Sequence, residues 1–198
     1  MQRDFHRWLL SCDSMRDARE RFTETALPFM RNVYGAALRM CGKPEVAEDI
    51  TQETMLRAFR TFENFQPGTN CKAWLLTIMR SVLVNLYHHD RRRPEAELDA
   101  LVPDAEVFAT SDEQITAFID RAPTPEIEAA LAGLPDDFRA AVVLVDIEEL
   151  SYEEAAHALG CPVGTVRSRL SRARRLLFQA LEVHARRAGY VVKPGGRS

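Results

Sequence analysis

The chain has 198 residues, 46% of them hydrophobic and 28% charged, with 9 Gly, 10 Pro and a formal charge of −3. This composition excludes collagen-like, low-complexity and wholly disordered proteins, and the length suits one domain or two small ones. The longest unbroken apolar run, Ala140 to Val145, is far below the roughly 20 residues of a membrane span, and membrane insertion is not expected. The first residues carry no apolar signal core, so a cytoplasmic location is expected. Cys12, Cys41, Cys71 and Cys161 form no CxxC pair, which points to four plain thiols and no metal site.

An N-terminal extension, residues 1–15, carries Phe5, Trp8, Leu9 and Leu10 and reads as a first turn or docking helix. Helical spacing then begins. Phe22, Phe29, Met30, Val33, Ala37 and Leu38 share one face, and the run ends at the stop Cys41-Gly42-Lys43-Pro44. Val46, Ile50, Met55, Ala58, Phe59 and Phe62 give a second helix its apolar side. Residues 66–70, QPGTN, are turn chemistry, and a third helical stretch from about Lys72 to Asp90 carries Trp74, Leu75, Ile78, Val82 and Leu86. No alternating strand pattern of useful length occurs, so the expected fold is all-α.

Charge divides the rest of the chain. Residues 94–128 hold ten acids against Arg121 alone, whereas residues 161–187 hold seven Arg against one Glu. Residues 94–124, with Pro103 and Pro123, read as an acidic linker that includes a short helix around Glu113 to Ile119. A helix from Pro125 through Leu131 opens the second domain. Leu134-Pro135-Asp136-Asp137 starts the next, with Phe138, Ala141, Val142, Val145 and Ile147 as its core face. The end, residues 188–198, reads as a flexible tail.

Ser151 and Glu154 form a capping box, in which the Ser hydroxyl accepts from the Glu154 amide and the Glu carboxylate reaches back to the Ser151 amide. The short helix stops at Gly160. A second helix begins near Pro162 or Val163, with Ala155, Ala156, Leu159, Val166 and Leu170 placed where two steeply crossing helices touch. This is helix-turn-helix spacing. The second helix presents Thr165, Arg167, Ser168, Arg169, Ser171, Arg172, Arg174 and Arg175, the donors that a major-groove reader and its phosphate contacts require.

Residues 150–174, LSYEEAAHALGCPVGTVRSRLSRAR, closely resemble region four of bacterial sigma factors of the extracytoplasmic-function (ECF) group, and LPDDFR at 134–139 matches the start of that region. AEDITQETMLRAF at 47–59 resembles region 2.2, and WLLTI at 74–78 through Asn85 to Arg93 resembles regions 2.3 and 2.4. The resemblance implies two small helical domains: region 2 over residues 16–93 and region 4 over residues 125–187, joined by the linker. It implies that Asp49, Gln52, Glu53, Leu56 and Arg57 bind the β′ clamp helices of core RNA polymerase, with region 4 on the β flap. It assigns the minus-ten element and melted non-template strand to Arg80, Ser81, Asn85, Tyr87, His88, His89, Arg91, Arg92 and Arg93. Most relatives carry Asn where this chain has Ser81. The duplex minus-thirty-five element falls to Arg167, Ser168, Ser171 and Arg172 at base edges, and to Thr165, Arg169, Arg174 and Arg175 at phosphates. An anti-sigma factor is the implied inhibitor, and no cofactor is implied. No Walker loop, HExxH or nucleophile motif is present, and His157 stands alone, so no catalysis is expected. A stand-alone helix-turn-helix regulator is the alternative, though it leaves the helix over 47–59 without a task.

Overall fold

The structure is a computed structural model that describes residues 17–87 and 124–187, with Tyr87, Thr124 and residues 183–187 described by their backbone. The N-terminal extension with Phe5 and Trp8, the acidic linker with its short helix, and the tail lie outside the described residues. The chain divides into two compact units between Tyr87 and His88. Every described element is helical.

In the first unit, residues 17–25 are helical (α1), and α2 spans Met30–Cys41. The sequence read this stretch as one helix. A 3-10 turn over Leu27–Phe29 interrupts it, because Pro28 has no N–H to donate and its ring crowds the preceding turn. The break rotates Met30 out of the core, and it is exposed. Gly42 ends α2 at φ 69°, a left-handed conformation that a residue without Cβ adopts freely. Pro44 occupies the first turn of α3, Pro44–Arg60, where its missing N–H would have no intrahelical acceptor. A turn over residues 66–70 leads into α4, Cys71–Tyr87, whose start is held by Asn70 Oδ1 accepting from the Ala73 amide at 3.2 Å.

Helix α3 packs on both α2 and α4. Ala36, Ala37, Ala47, Ala58 and Ala73 let the backbones approach, and Val33, Ile50, Leu75, Leu76 and Met79 fill the space between them. Each such aliphatic side chain contributes about 1.5–3 kcal/mol by burial. Thr51 and Thr54 are buried as well, their hydroxyls donating to Ala47 O and Ile50 O at 2.6 Å, so neither hydroxyl is stranded. Phe22, Phe62, Phe65 and Trp74 form an aromatic cluster at one end, with Phe65 and Trp74 centroids 5.2 Å apart. Trp74 is thus a half-buried member of the core edge. Phe59 and Leu86, expected on apolar faces, are exposed. Leu86 continues the Leu75–Met79–Val82 row into the last turn of α4, where no described residue covers it.

The second unit holds α5 (Thr124–Ala132), α6 (Asp136–Val142), α7 (Tyr152–Leu159) and α8 (Val163–Arg187). Pro135 is the N-cap of α6, one residue before the first turn in which the sequence placed it. Helix α6 does not run on through Ile147. It widens into a π segment, Val143–Ile147, closed by the Glu148 amide donating to Val143 O at 2.9 Å. The wider turn buries Val143 and Leu144 and leaves Val145 and Ile147 half-buried. The core joins Leu131, Leu134, Phe138 and Val142 to Leu170, Ala173 and Leu177 of α8.

Candidate polymerase and promoter surfaces

Helix α3 has one buried and one open side. Opposite Ala47, Ile50 and Thr54, the residues Asp49, Gln52 and Leu56 are exposed, with Leu56 at 51%. Glu53 and Arg57 flank them half-buried and pair with each other, Arg57 Nε donating to Glu53 Oε1 at 2.6 Å. An exposed leucine framed by an acid, an amide and an ion pair is a surface of mixed chemistry. It can bury one apolar side chain while polar groups fix the register.

On α4, Ser81 and Asn85 lie one turn apart and both are exposed, while Arg80 is half-buried. His88, His89, Arg91, Arg92 and Arg93 lie outside the described residues, as does the Tyr87 side chain. Burial pushes the Cys71 thiol above its ordinary pKa, so at the start of α4 it stays protonated and unreactive.

The helix-turn-helix is built by local chemistry. The Ser151 Oγ accepts from the Glu154 amide at 3.2 Å, and the Glu154 carboxylate accepts from the Ser151 amide at 2.8 Å. Gly160 turns the chain at φ 63°, and the Cys161 amide donates back to Ala156 O at 3.1 Å. Ala155, Ala156 and Ala158 of α7 face Val166 and Leu170 of α8 in the buried seam, while Leu159 is only half-buried.

Helix α8 sorts its arginines by angle. Val166, Leu170, Ala173 and Leu177 define the buried stripe. At about 100° per residue, Arg169 and Arg174 fall on the two flanks of that stripe. Arg169 meets Asp137 of α6 at 3.3 Å. Arg174 forms a two-pronged pair with Asp146 of the π segment: Nη2 donates at 2.6 Å and Nε at 3.1 Å. Both arginines are largely buried, so their forks are committed inside the fold. Thr165, Ser168, Ser171, Arg172 and Arg175 are half-buried. Arg167 alone among the arginines of residues 163–175 is exposed. Ser168 Oγ donates to Thr165 O at 3.0 Å.

The supporting contacts of three residues were not read from the sequence. Arg139 donates to the carbonyls of Leu131, Ala132 and Leu134 at 2.7–2.9 Å, closing the C-terminus of α5 with a cation where the helix dipole is negative. Asp137 and Asp146 are the acids that receive α8. An acid outside the basic helix and far from it in sequence carries no sequence signal for such a pair, because the contact depends on how the helices cross. Among the described residues, no group of three His, Cys, Asp or Glu could hold a metal ion, and no helix is long and apolar enough to cross a membrane.

These features define a helical protein of two units, the first built from α1 to α4 and the second carrying a helix-turn-helix. Residues 27–93 match sigma-70 region 2, and residues 125–177 match sigma-70 region 4. The chain is 38% identical over 171 residues to the ECF RNA polymerase sigma factor EcfG of Rhodopseudomonas palustris, covering 86% of this chain and 87% of that one. It is 43% identical over 156 residues to ECF RNA polymerase sigma factor SigE of Mycolicibacterium smegmatis, covering 77% of this chain and 58% of that longer relative. Among solved structures, the sigma factor RpoE of Bartonella quintana, in complex with the anti-sigma factor NepR, aligns with a TM-score of 0.63 at 29% identity, covering 83% of this chain and 98% of that one. CnrH, in complex with the cytosolic domain of CnrY, shares the fold with a TM-score of 0.59 at 22% identity. The chain belongs to the sigma-70 family of RNA polymerase sigma factors, within its ECF group.

Proposed function

We propose that this chain binds core RNA polymerase, directs it to promoters bearing particular minus-ten and minus-thirty-five elements, and assists melting of the first. The observation that carries this reading is the pairing, in one chain, of an exposed mixed face on α3 with a helix-turn-helix whose reading helix is open on one side. A regulator that only bound operators would need the second and not the first.

The roles follow from chemistry. Asp49, Gln52, Glu53, Leu56 and Arg57 meet the β′ clamp helices, with Leu56 as the apolar centre. Arg80, Ser81, Asn85 and the run Tyr87, His88, His89, Arg91, Arg92 and Arg93 hold the minus-ten element and the melted strand, for which cationic and stacking groups suit unpaired bases. Arg167, Ser168, Ser171 and Arg172 face the minus-thirty-five duplex at base edges, and Thr165 and Arg175 face phosphate. Arg169 and Arg174 act chiefly through Asp137 and Asp146, fixing α8 in the fold. The domains run over residues 16–93 and 125–187, with residues 94–124 as the linker between them. The phosphodiester chemistry belongs to the polymerase, so this chain is no enzyme, and it works in the cytoplasm. An anti-sigma factor holds it between uses, as NepR binds the relative from Bartonella.

Run-off transcription with purified core polymerase on a randomised-promoter library tests this. Discrete starts that depend on the protein are expected. Binding to duplex DNA without any protein-dependent initiation would establish the stand-alone regulator instead.

A further inference from the structure

Arg167 is held in a different way from its neighbours. Arg169 and Arg174 end on carboxylates, whereas the Arg167 guanidinium carbon lies 5.4 Å from the centroid of the Tyr152 ring, which it covers. That distance is within the range of a cation–π contact. No carboxylate among the described residues pairs with Arg167, and its side chain is otherwise exposed. The distinction matters chemically. A carboxylate consumes the in-plane N–H groups of a guanidinium, which are the groups that meet guanine O6 and N7. An aromatic ring engages the flat face and leaves the in-plane fork available.

Tyr152 is itself fixed. It is the first residue of α7, immediately after Ser151, so the reciprocal Ser151–Glu154 bonds set its backbone. Its half-buried side chain packs against the core that includes Leu170 and Leu177. A continuous path therefore runs from the core through the Tyr152 ring to the one exposed arginine near the start of the reading helix.

We propose that Tyr152 is a positioning residue for promoter selection: its ring holds Arg167 in place for base readout and so sets how strongly one base pair of the minus-thirty-five element is preferred. This rests on the reading of α8 as the minus-thirty-five reader. An arginine already restrained loses less rotamer freedom on binding, which strengthens the correct contact without adding a new one. The same restraint keeps the fork from swinging to phosphate, where it would contribute affinity without discrimination.

The test uses holoenzyme formed from full-length protein and transcription from a library randomised through the minus-thirty-five element. Four forms are compared: wild type, Arg167→Ala, Tyr152→Phe and Tyr152→Leu, with Tyr152→Leu also placed on the Arg167→Ala background. Arg167→Ala is expected to lower preference at one base pair by about tenfold. Tyr152→Leu is expected to lower it at that same base pair by about fivefold. Tyr152→Phe keeps the ring and the preference, and Tyr152→Leu has no further effect once Arg167 is gone. Equal loss at every position, or an undiminished effect of Tyr152→Leu on the Arg167→Ala background, would identify a structural role only and overturn the proposal. Loss of preference in Arg167→Ala with none in Tyr152→Leu overturns the positioning role while leaving Arg167 as a reader. Unchanged preference in Arg167→Ala removes the reader, and the positioning role falls with it. Should Tyr152→Leu fold poorly, Tyr152→Trp keeps an aromatic face of different extent, and an altered preference confined to the Arg167 base pair is the expected result; an unaltered one counts against the proposal.

Discussion

Arg174 and Asp146 stand 28 residues apart in sequence and form a two-pronged ion pair, with N–O separations of 2.6 and 3.1 Å, that joins the reading helix to the π segment. Their side chains are 13% and 16% exposed, so most of the pair is out of water. A planar guanidinium on a carboxylate fixes angle as well as distance, which orients α8 about its own axis. Asp146→Asn removes the carboxylate charge from this largely buried pair. A loss of about 3 kcal/mol is expected, visible as a lowered thermal midpoint. Replacing both residues by apolar ones of similar volume should return much of that loss, because the desolvation of both charges is then avoided.

The α3 face predicts a separation of binding from folding. Asp49→Arg and Leu56→Ala alter exposed side chains and should leave the melting temperature nearly unchanged. Each should weaken competition for core polymerase by about tenfold. Holoenzyme assembly at the wild-type level by both variants would move the docking face elsewhere.

Salt dependence separates the two kinds of contact on α8. With Arg175 at phosphate, as proposed, promoter binding by the Arg175→Ala holoenzyme should weaken to a similar degree on every minus-thirty-five sequence. The slope of log affinity against log salt should fall by about one ion. A sequence-dependent loss would assign Arg175 to a base edge.

Ser151→Ala removes one of the two reciprocal bonds at the start of α7 directly and leaves the Glu154 amide without its acceptor. The expected loss is about 1 kcal/mol in denaturant unfolding. Ser151→Thr or Ser151→Asp, which keep an oxygen in reach, should lose little.

Much of this protein was legible as sequence because the signals concerned are local. The capping box at Ser151, the left-handed stop at Gly160 and the exposed row Asp49–Gln52–Leu56 all depend on residues within a turn or two of one another. Helical geometry fixes such relations before any tertiary contact forms. The departures came where local rules were balanced or insufficient. Pro28 divided a stretch whose apolar spacing read through it, and the widening at Val143 buried Val143 and Leu144 where Val145 and Ile147 were expected. Met30 and Leu86 had the right spacing for a core but no partner surface among the described residues.

The arginines of α8 mark the boundary most clearly. By itself, the sequence determined that a basic second helix follows a capped first helix and a glycine turn, and therefore that a DNA-reading motif is present. It did not determine which arginine does what, because all are alike in type and close in number. That division depends on the crossing of α8 with α6 and the π segment, which brings Asp137 and Asp146 to its flanks, and on the packing of α7, which places the Tyr152 ring beneath Arg167. Contacts between residues far apart in the chain are set by packing angles, and only the tertiary structure decides them.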